Sequence, residues 1–262
     1  MKNTQCAILI LSCDKYADLW SPFFEAFFKN WLDCPYQIYL GSNLKKFSDK
    51  KVRTILSGKD IDWSTSYLKI LSQIPEKYIL VWPEDAFIVT KVNTTLINSC
   101  FTYLEQKKAK HIQACPIVPA DTKNIPKNQY FGTYEKTRPY RINVKGFWDK
   151  KYLQSILIKG ESPWHFEVIG SYRTSYEDGF YFSSKPIFDY IHIVEKGKLI
   201  RSRLNLCKTN KIRLDISKRR IQNYFEQILS YIGMQLVYLI LNINWKIRLS
   251  IMNFFRKILF CY

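Results

Sequence analysis

The sequence predicts an α/β domain on a mainly parallel sheet flanked by helices, followed by a basic helical extension. Three observations carry this. Apolar runs of strand length alternate with amphipathic stretches through residues 5–120, the pattern of strands joined by helical crossovers. Two of those runs, Cys6–Cys13 and Tyr78–Trp82, are apolar without alternation, as strands covered on both faces are. Charge is also partitioned: Lys196–Tyr262 holds 14 basic and 2 acidic residues, a net +12 of the chain's +18.

The elements follow in order. After the Cys6–Cys13 strand, Asp14-Lys15 forms a polar turn. Trp20, Phe23, Phe24, Phe27, Phe28 and Trp31 then recur at helical spacing, with Ser21-Pro22 at the expected start. Gln37–Gly41 and Val52–Leu56 are short strands, and Ser64–Ile74 is a helix ended by Pro75. Tyr78–Trp82 runs straight into Pro83-Glu84-Asp85. A helix over Asn93–Lys108 and a strand over His111–Pro116 come next. Asp121–Pro139 reads as a polar loop, whose Lys123, Lys127, Lys136 and Arg138 could close over a diphosphate. A strand at Asn143–Phe147, helices at Lys150–Ile158 and Glu161–Tyr172, and a last strand at Ile187–Val194 complete the domain. We set its limits at 1–205, with a basic amphipathic helical tail at 206–262.

Composition narrows the classes. Apolar residues at 47% exclude a disordered chain. The seven cysteines are odd in number and none are spaced C-x-x-C, which argues against a disulfide framework or zinc site and for reduced thiols in the cytoplasm. One Lys before Cys6–Leu11 reads as the approach to a strand rather than a signal peptide. The net charge points to a polyanionic partner: nucleic acid, anionic membrane or phosphorylated substrate. Nucleic-acid binding is the competing class, but the charge clusters beside apolar residues and no nucleic-acid-binding motif is present.

Ligands of such sheets bind at the C-terminal ends of the strands, and two acidic signals fall there. Glu84-Asp85 could hold Mg²⁺ or Mn²⁺, which take oxygen ligands and bridge to phosphates, or be two solvated loop acids. Asp14 could accept from the N–H and O–H donors of a base or ribose, or cap a turn. Asp62 or Ser64 would cap the helix that follows. Glu167, among Trp164, Phe166 and Tyr172, has the apolar surroundings that raise a carboxylate toward general-base work; it could equally be a surface acid. Glu177-Asp178 is the competing pair.

The order of these features resembles a bacterial glycosyltransferase of the GT-A type, of the sort found in capsule and lipopolysaccharide gene clusters. The residues carrying it are Ser12-Cys13-Asp14-Lys15-Tyr16, Asp62-Trp63-Ser64, Tyr78–Phe87, Gly146-Phe147-Trp148 and Ser162-Pro163-Trp164-His165-Phe166-Glu167, across about residues 5 to 200. The resemblance implies a GT-A-like, Rossmann-type fold and a nucleotide-diphosphate sugar as donor. The family's Asp-x-Asp appears here as Pro83-Glu84-Asp85. It implies Asp85 as direct ligand of a divalent cation, His192 as a second ligand, and Asp14, Asp62, Trp63, Glu84 and Asp85 around the nucleotide sugar. Glu167, with Asp178 in reserve, becomes the catalytic acid–base residue. Independently of the resemblance, Trp148 and Trp164 could stack on an acceptor sugar, or be core aromatics.

The tail allows three readings. Gln227–Trp245 is 19 residues without a charge but with several polar side chains, marginal for a span. An interfacial helix drawn to anionic lipid fits its basic flanks better; packing on the domain or in a homo-oligomer is the third. The expectation is a peripheral enzyme at the inner face of the cell membrane, acting on a glycan or lipid-linked acceptor. A non-catalytic membrane-attached partner of a glycan assembly complex is the further alternative.

Overall fold

The computed structural model describes residues 5–116 and 130–259. The strands β1 (Cys6–Leu11), β2 (Gln37–Ser42), β3 (Val52–Leu56) and β4 (Tyr78–Pro83) form one side of the main sheet. A short ribbon strand, β5 (Ala86–Ile88), follows. Next come β6 (His111–Gln113), β7 (Phe131–Thr133), β8 (Gly146–Asp149) and β9 (Phe180–Ser183), then β10 (Tyr190–His192), β11 (Val194–Glu195) and β12 (Lys198–Leu199). The eight-stranded sheet has the order β3-β2-β1-β4-β8-β6-β9-β7. Six strands point one way and β8 and β7 run against them. The sheet is therefore mixed and mostly parallel.

The helices are α1 (Ala17–Asn30), α2 (Trp63–Ser72), α3 (Thr94–Gln106), α4 (Lys150–Ile156), α5 (Pro163–Arg173), α6 (Leu204–Thr209), α7 (Tyr224–Leu241) and α8 (Trp245–Leu259). Two apolar layers hold them. β1 alternates between these layers: Cys6, Ile8 and Ile10 face α1 and α3, whereas Ala7, Leu9 and Leu11 face α2, α4 and α5. Caps place the helix starts, because Asp62, Asn93, Asp149, Ser162 and Asn223 each accept a first-turn amide. Helix α1 begins before the expected Ser21-Pro22, and Pro22 lies inside it. Burial of Phe23, Phe24 and Phe27 against the sheet offsets the backbone bond Pro22 cannot make.

Three sequence expectations change. The segment read as a loop to Pro139 contains β7; Lys123 and Lys127 lie outside the described residues, Lys136 is exposed and Arg138 is buried. Strand β9, between α5 and the ribbon, was not anticipated. The boundary at 205/206 falls inside α6. Cys207 is buried in the core, Ile212, Leu214 and Ile221 pack on it, and Leu199 pairs with Ile221. The body thus continues to about Gln222. The reason is the β11–β12 hairpin, whose Lys196-Gly197 turn has two positive φ angles and turns the chain back to receive this segment.

Candidate functional site

Four parallel strands end along one edge, and their following loops converge there. Asp14, after β1, is turned onto its neighbour: its Oδ1 accepts from the amides of Asn43, Leu44 and Lys45 at 3.0–3.1 Å, and Asn43 Oδ1 accepts from the Asp14 amide. Asp14 therefore positions the loop after β2. Asp62 accepts from Thr65, Ser64 and the amide of Gly160. Burial opposes its ionisation, but these bonds prevail and hold it down at about 2. It thereby ties the start of α2 to the entry of α5. Trp63 wedges between Tyr67 and Phe166, at 5.2 and 5.7 Å.

Glu84 and Asp85 form the turn between β4 and β5, and their side chains diverge. Glu84 is buried and directed toward Ser12; burial first, and Asp85 second, push its carboxyl well above the usual range. Asp85 turns to the β5–β10 ribbon, where His192 pairs with Ala86. Asp85 Oδ1 and His192 Nδ1 are 3.6 Å apart, and neither atom has a hydrogen-bond partner. Burial raises Asp85, with His192 and Lys145 opposing, and lowers His192 despite Asp85. The imidazole is thus kept neutral, its ligating form.

Two cations unforeseen in the sequence flank this pair. Lys145 precedes β8, and β8 runs antiparallel to β4, so its start lies at the edge where β4 ends. Its Nζ donates to Tyr190 Oη at 3.1 Å. Arg219 pairs with Asp18 at 2.6 Å, covers the Tyr16 ring and donates to the Lys15 carbonyl. Lys145 had a weak signal in sequence, a lysine leading an apolar run; Arg219 had none.

Glu167 lies on the inner face of α5. Its Oε1 accepts from the Val144 amide at 3.0 Å. Burial raises its carboxyl to about 7, against that bond and Lys145 and with the help of Asp85. Trp164, one turn earlier, is exposed.

Two assignments are corrected. Trp148 is fully enclosed and stacks on His111 at 3.8 Å, so its ring has no free face for a sugar. Asp178 stands at the opposite edge. Helix α5 crosses back over the sheet, and Phe180 lies level with His111, Trp148 and Ile79, roughly 20 Å from Asp85 at about 3.3 Å per residue. The adjacent Glu177 pairs there with Lys110 at 2.6 Å. One surface recess, of about 410 Å³, lies at that far edge by Lys77, Lys110 and Asp149. Another of about 500 Å³ lies between α3 and Phe131. Neither touches the Asp85 edge, where the chemistry-bearing groups gather.

These features define an α/β protein with a mixed sheet and an acid–histidine–lysine cluster at the strands' C-terminal edge. No family model and no curated sequence matches the chain. Solved structures similar to it include S. aureus TarS 1–349 in complex with UDP-GlcNAc, at 9% identity and TM-score 0.46, over 71% of this chain and 57% of that one. A CMP:2-keto-3-deoxy-manno-octonic acid synthetase complexed with CTP aligns at 12% identity and TM-score 0.46, over 79% and 97%. LgtC aligns at 11% and 0.38, over 66% and 71%. This chain spans less than two thirds of the TarS structures.

Proposed function

We propose that the chain is a glycosyltransferase that takes a sugar from a nucleotide-diphosphate donor. The acceptor is a glycan or lipid-linked precursor of the kind built in capsule or lipopolysaccharide synthesis. The observation that carries this reading is the half-buried facing pair Asp85 and His192 beyond a strand end, whose facing atoms are buried with no hydrogen-bond partner.

The pair fits a divalent cation, Mn²⁺ or Mg²⁺. One carboxylate and one neutral imidazole leave most positions to phosphate oxygens and water, as these ions require. Among the described residues no group of three His, Cys, Asp or Glu converges on one point, so the donor itself would complete the shell. Held by Asp85 and His192, such a cation would neutralise charge on the departing diphosphate.

The chain's own residues do the rest. Lys145 supplies a fixed positive charge beside Asp85 for the diphosphate. On the β1 side, Asp14 fixes the loop after β2 and Glu84 faces Ser12. Glu167 takes the proton of the acceptor hydroxyl as that oxygen bonds to the anomeric carbon and the bond from that carbon to the diphosphate oxygen breaks. A carboxyl near 7 suits that task at neutral pH. Trp164, exposed at the head of α5, offers a face to the acceptor sugar.

The test is a screen of nucleotide-diphosphate sugars for thermal stabilisation with and without Mn²⁺. A ligand at 100 times its Kd adds about 2.7 kcal/mol to stability. Stabilisation by one nucleotide class, dependent on Mn²⁺ and lost in Asp85→Asn, is expected. No response to any nucleotide overturns the reading.

A further inference from the structure

Helix α7 has its amphipathic faces reversed. Two of its polar residues point to the body: Glu226 pairs with Lys198, and Ser230 donates to Glu195 at 2.8 Å. Its apolar residues point away: Phe225, Ile228, Leu229, Ile232, Leu236, Leu239 and Ile240 are all exposed, and no residue of the helix is buried. Helix α8 shows the same reversal at Arg248. Arg248 is buried and pairs with Glu135, whereas Ile247, Ile251 and Phe254 are exposed. A helix packed on a soluble body shows the opposite pattern, so this surface is built to meet something apolar.

Charge identifies the occupant. Lys208, Lys211, Arg213, Lys218 and Arg220 are exposed just before α7, and Lys246 stands exposed just after it. Asp215 is the only acidic residue between Lys196 and Asn223. A second copy would bring the same positive charge against itself, whereas an anionic bilayer offers apolar depth and negative headgroups together. We propose that the outer face of α7 and α8, with the basic segment before it, docks on an anionic lipid surface.

The helix lies on that surface rather than crossing it. Its 18 residues are long and apolar enough to span by length and composition, but the Lys198 and Glu195 contacts hold its first two turns against the body. Glu195, in β11, comes three residues after His192 at the end of β10, and Arg219 reaches back to Asp18 beside the first strand's loop. Docking would therefore hold the Asp85 edge at a set height over the lipid. The inference does not depend on the donor reading, since lipid docking and nucleotide binding are measured separately.

The experiment is co-sedimentation of the full chain with phosphatidylcholine vesicles, with or without phosphatidylglycerol, at low and high salt. Binding that requires phosphatidylglycerol and weakens with salt is expected. Two double variants at exposed positions, Leu236→Glu with Leu239→Glu and Lys208→Glu with Lys211→Glu, should each weaken binding at least roughly tenfold, with unchanged far-ultraviolet dichroism. Should the first pair disturb folding, the second carries the test alone. The proposal is overturned if the wild-type chain ignores phosphatidylglycerol vesicles at low salt, or if a folded double variant binds as before. It is equally overturned if sedimentation equilibrium shows a stable dimer that the leucine substitutions dissociate, because the occupant is then a second copy.

Discussion

Asp85 Oδ1, in the turn just before β5, faces His192 Nδ1 at the end of β10 across 3.6 Å, and each atom is buried without another hydrogen-bond partner. A buried polar atom left unpaired costs free energy unless a ligand completes it. The ribbon register of His192 with Ala86 keeps the two in place. Asp85→Asn and His192→Ala should each reduce Mn²⁺-dependent nucleotide affinity at least about tenfold, since even indirect partners of a bound metal are worth that much. Titration calorimetry with and without Mn²⁺ measures it; unchanged affinity in Mn²⁺ for both variants removes the pair from the site.

Glu167 links activity and stability through one proton. The folded carboxyl is raised from 4.5 to about 7, so between those values the folded state holds a proton that the unfolded chain releases. Stability should therefore fall as pH rises through that window, by about 3 kcal/mol in all. Glu167→Gln keeps an oxygen for the Val144 amide and carries no titrating proton. Its urea-unfolding stability should lack that decline. Turnover should drop roughly 10²-fold or more, with donor affinity nearly unchanged. A variant that keeps wild-type turnover shows that the base lies elsewhere.

Asp14 tests positioning against direct contact. Its Oδ1 alone accepts from three loop amides, so Asp14→Asn retains an oxygen in that place and Asp14→Ala does not. The alanine variant should lose roughly 1–3 kcal/mol, a fall of about 2–4 °C in Tm per kcal/mol at this size; the asparagine variant should lose less. Equal losses in a melting experiment would contradict the geometry.

Gly146 stands where β8 meets the edge of the site. A Cβ there would collide with the His111 ring and lie 2.7 Å from the Ile112 carbonyl oxygen. That backbone cannot swing aside as a side-chain end can. Gly146→Ala should cost roughly 1–3 kcal/mol and displace Lys145 next to it, weakening nucleotide binding as well. Melting and calorimetry on the same preparation would show both losses, or refute the coupling.

Residue pattern alone was enough for the strands β1 to β4 and the helices α1 to α5, because their apolar periods are long and regular. It also located Glu84-Asp85 at the end of a doubly covered strand. It was silent where the deciding quantity is a partner far along the chain. Strands β7 and β9 are three and four residues long, too short to show a period. Only pairing reveals that β8 runs against β4, which brings Lys145 to the site, and that β9 starts at the far edge, which takes Asp178 away. The apolar stripe of α7 was readable as spacing, but whether it turned inward or outward was not. Periodicity says that a helix has two faces; the Glu226–Lys198 and Ser230–Glu195 contacts decide which one the body receives.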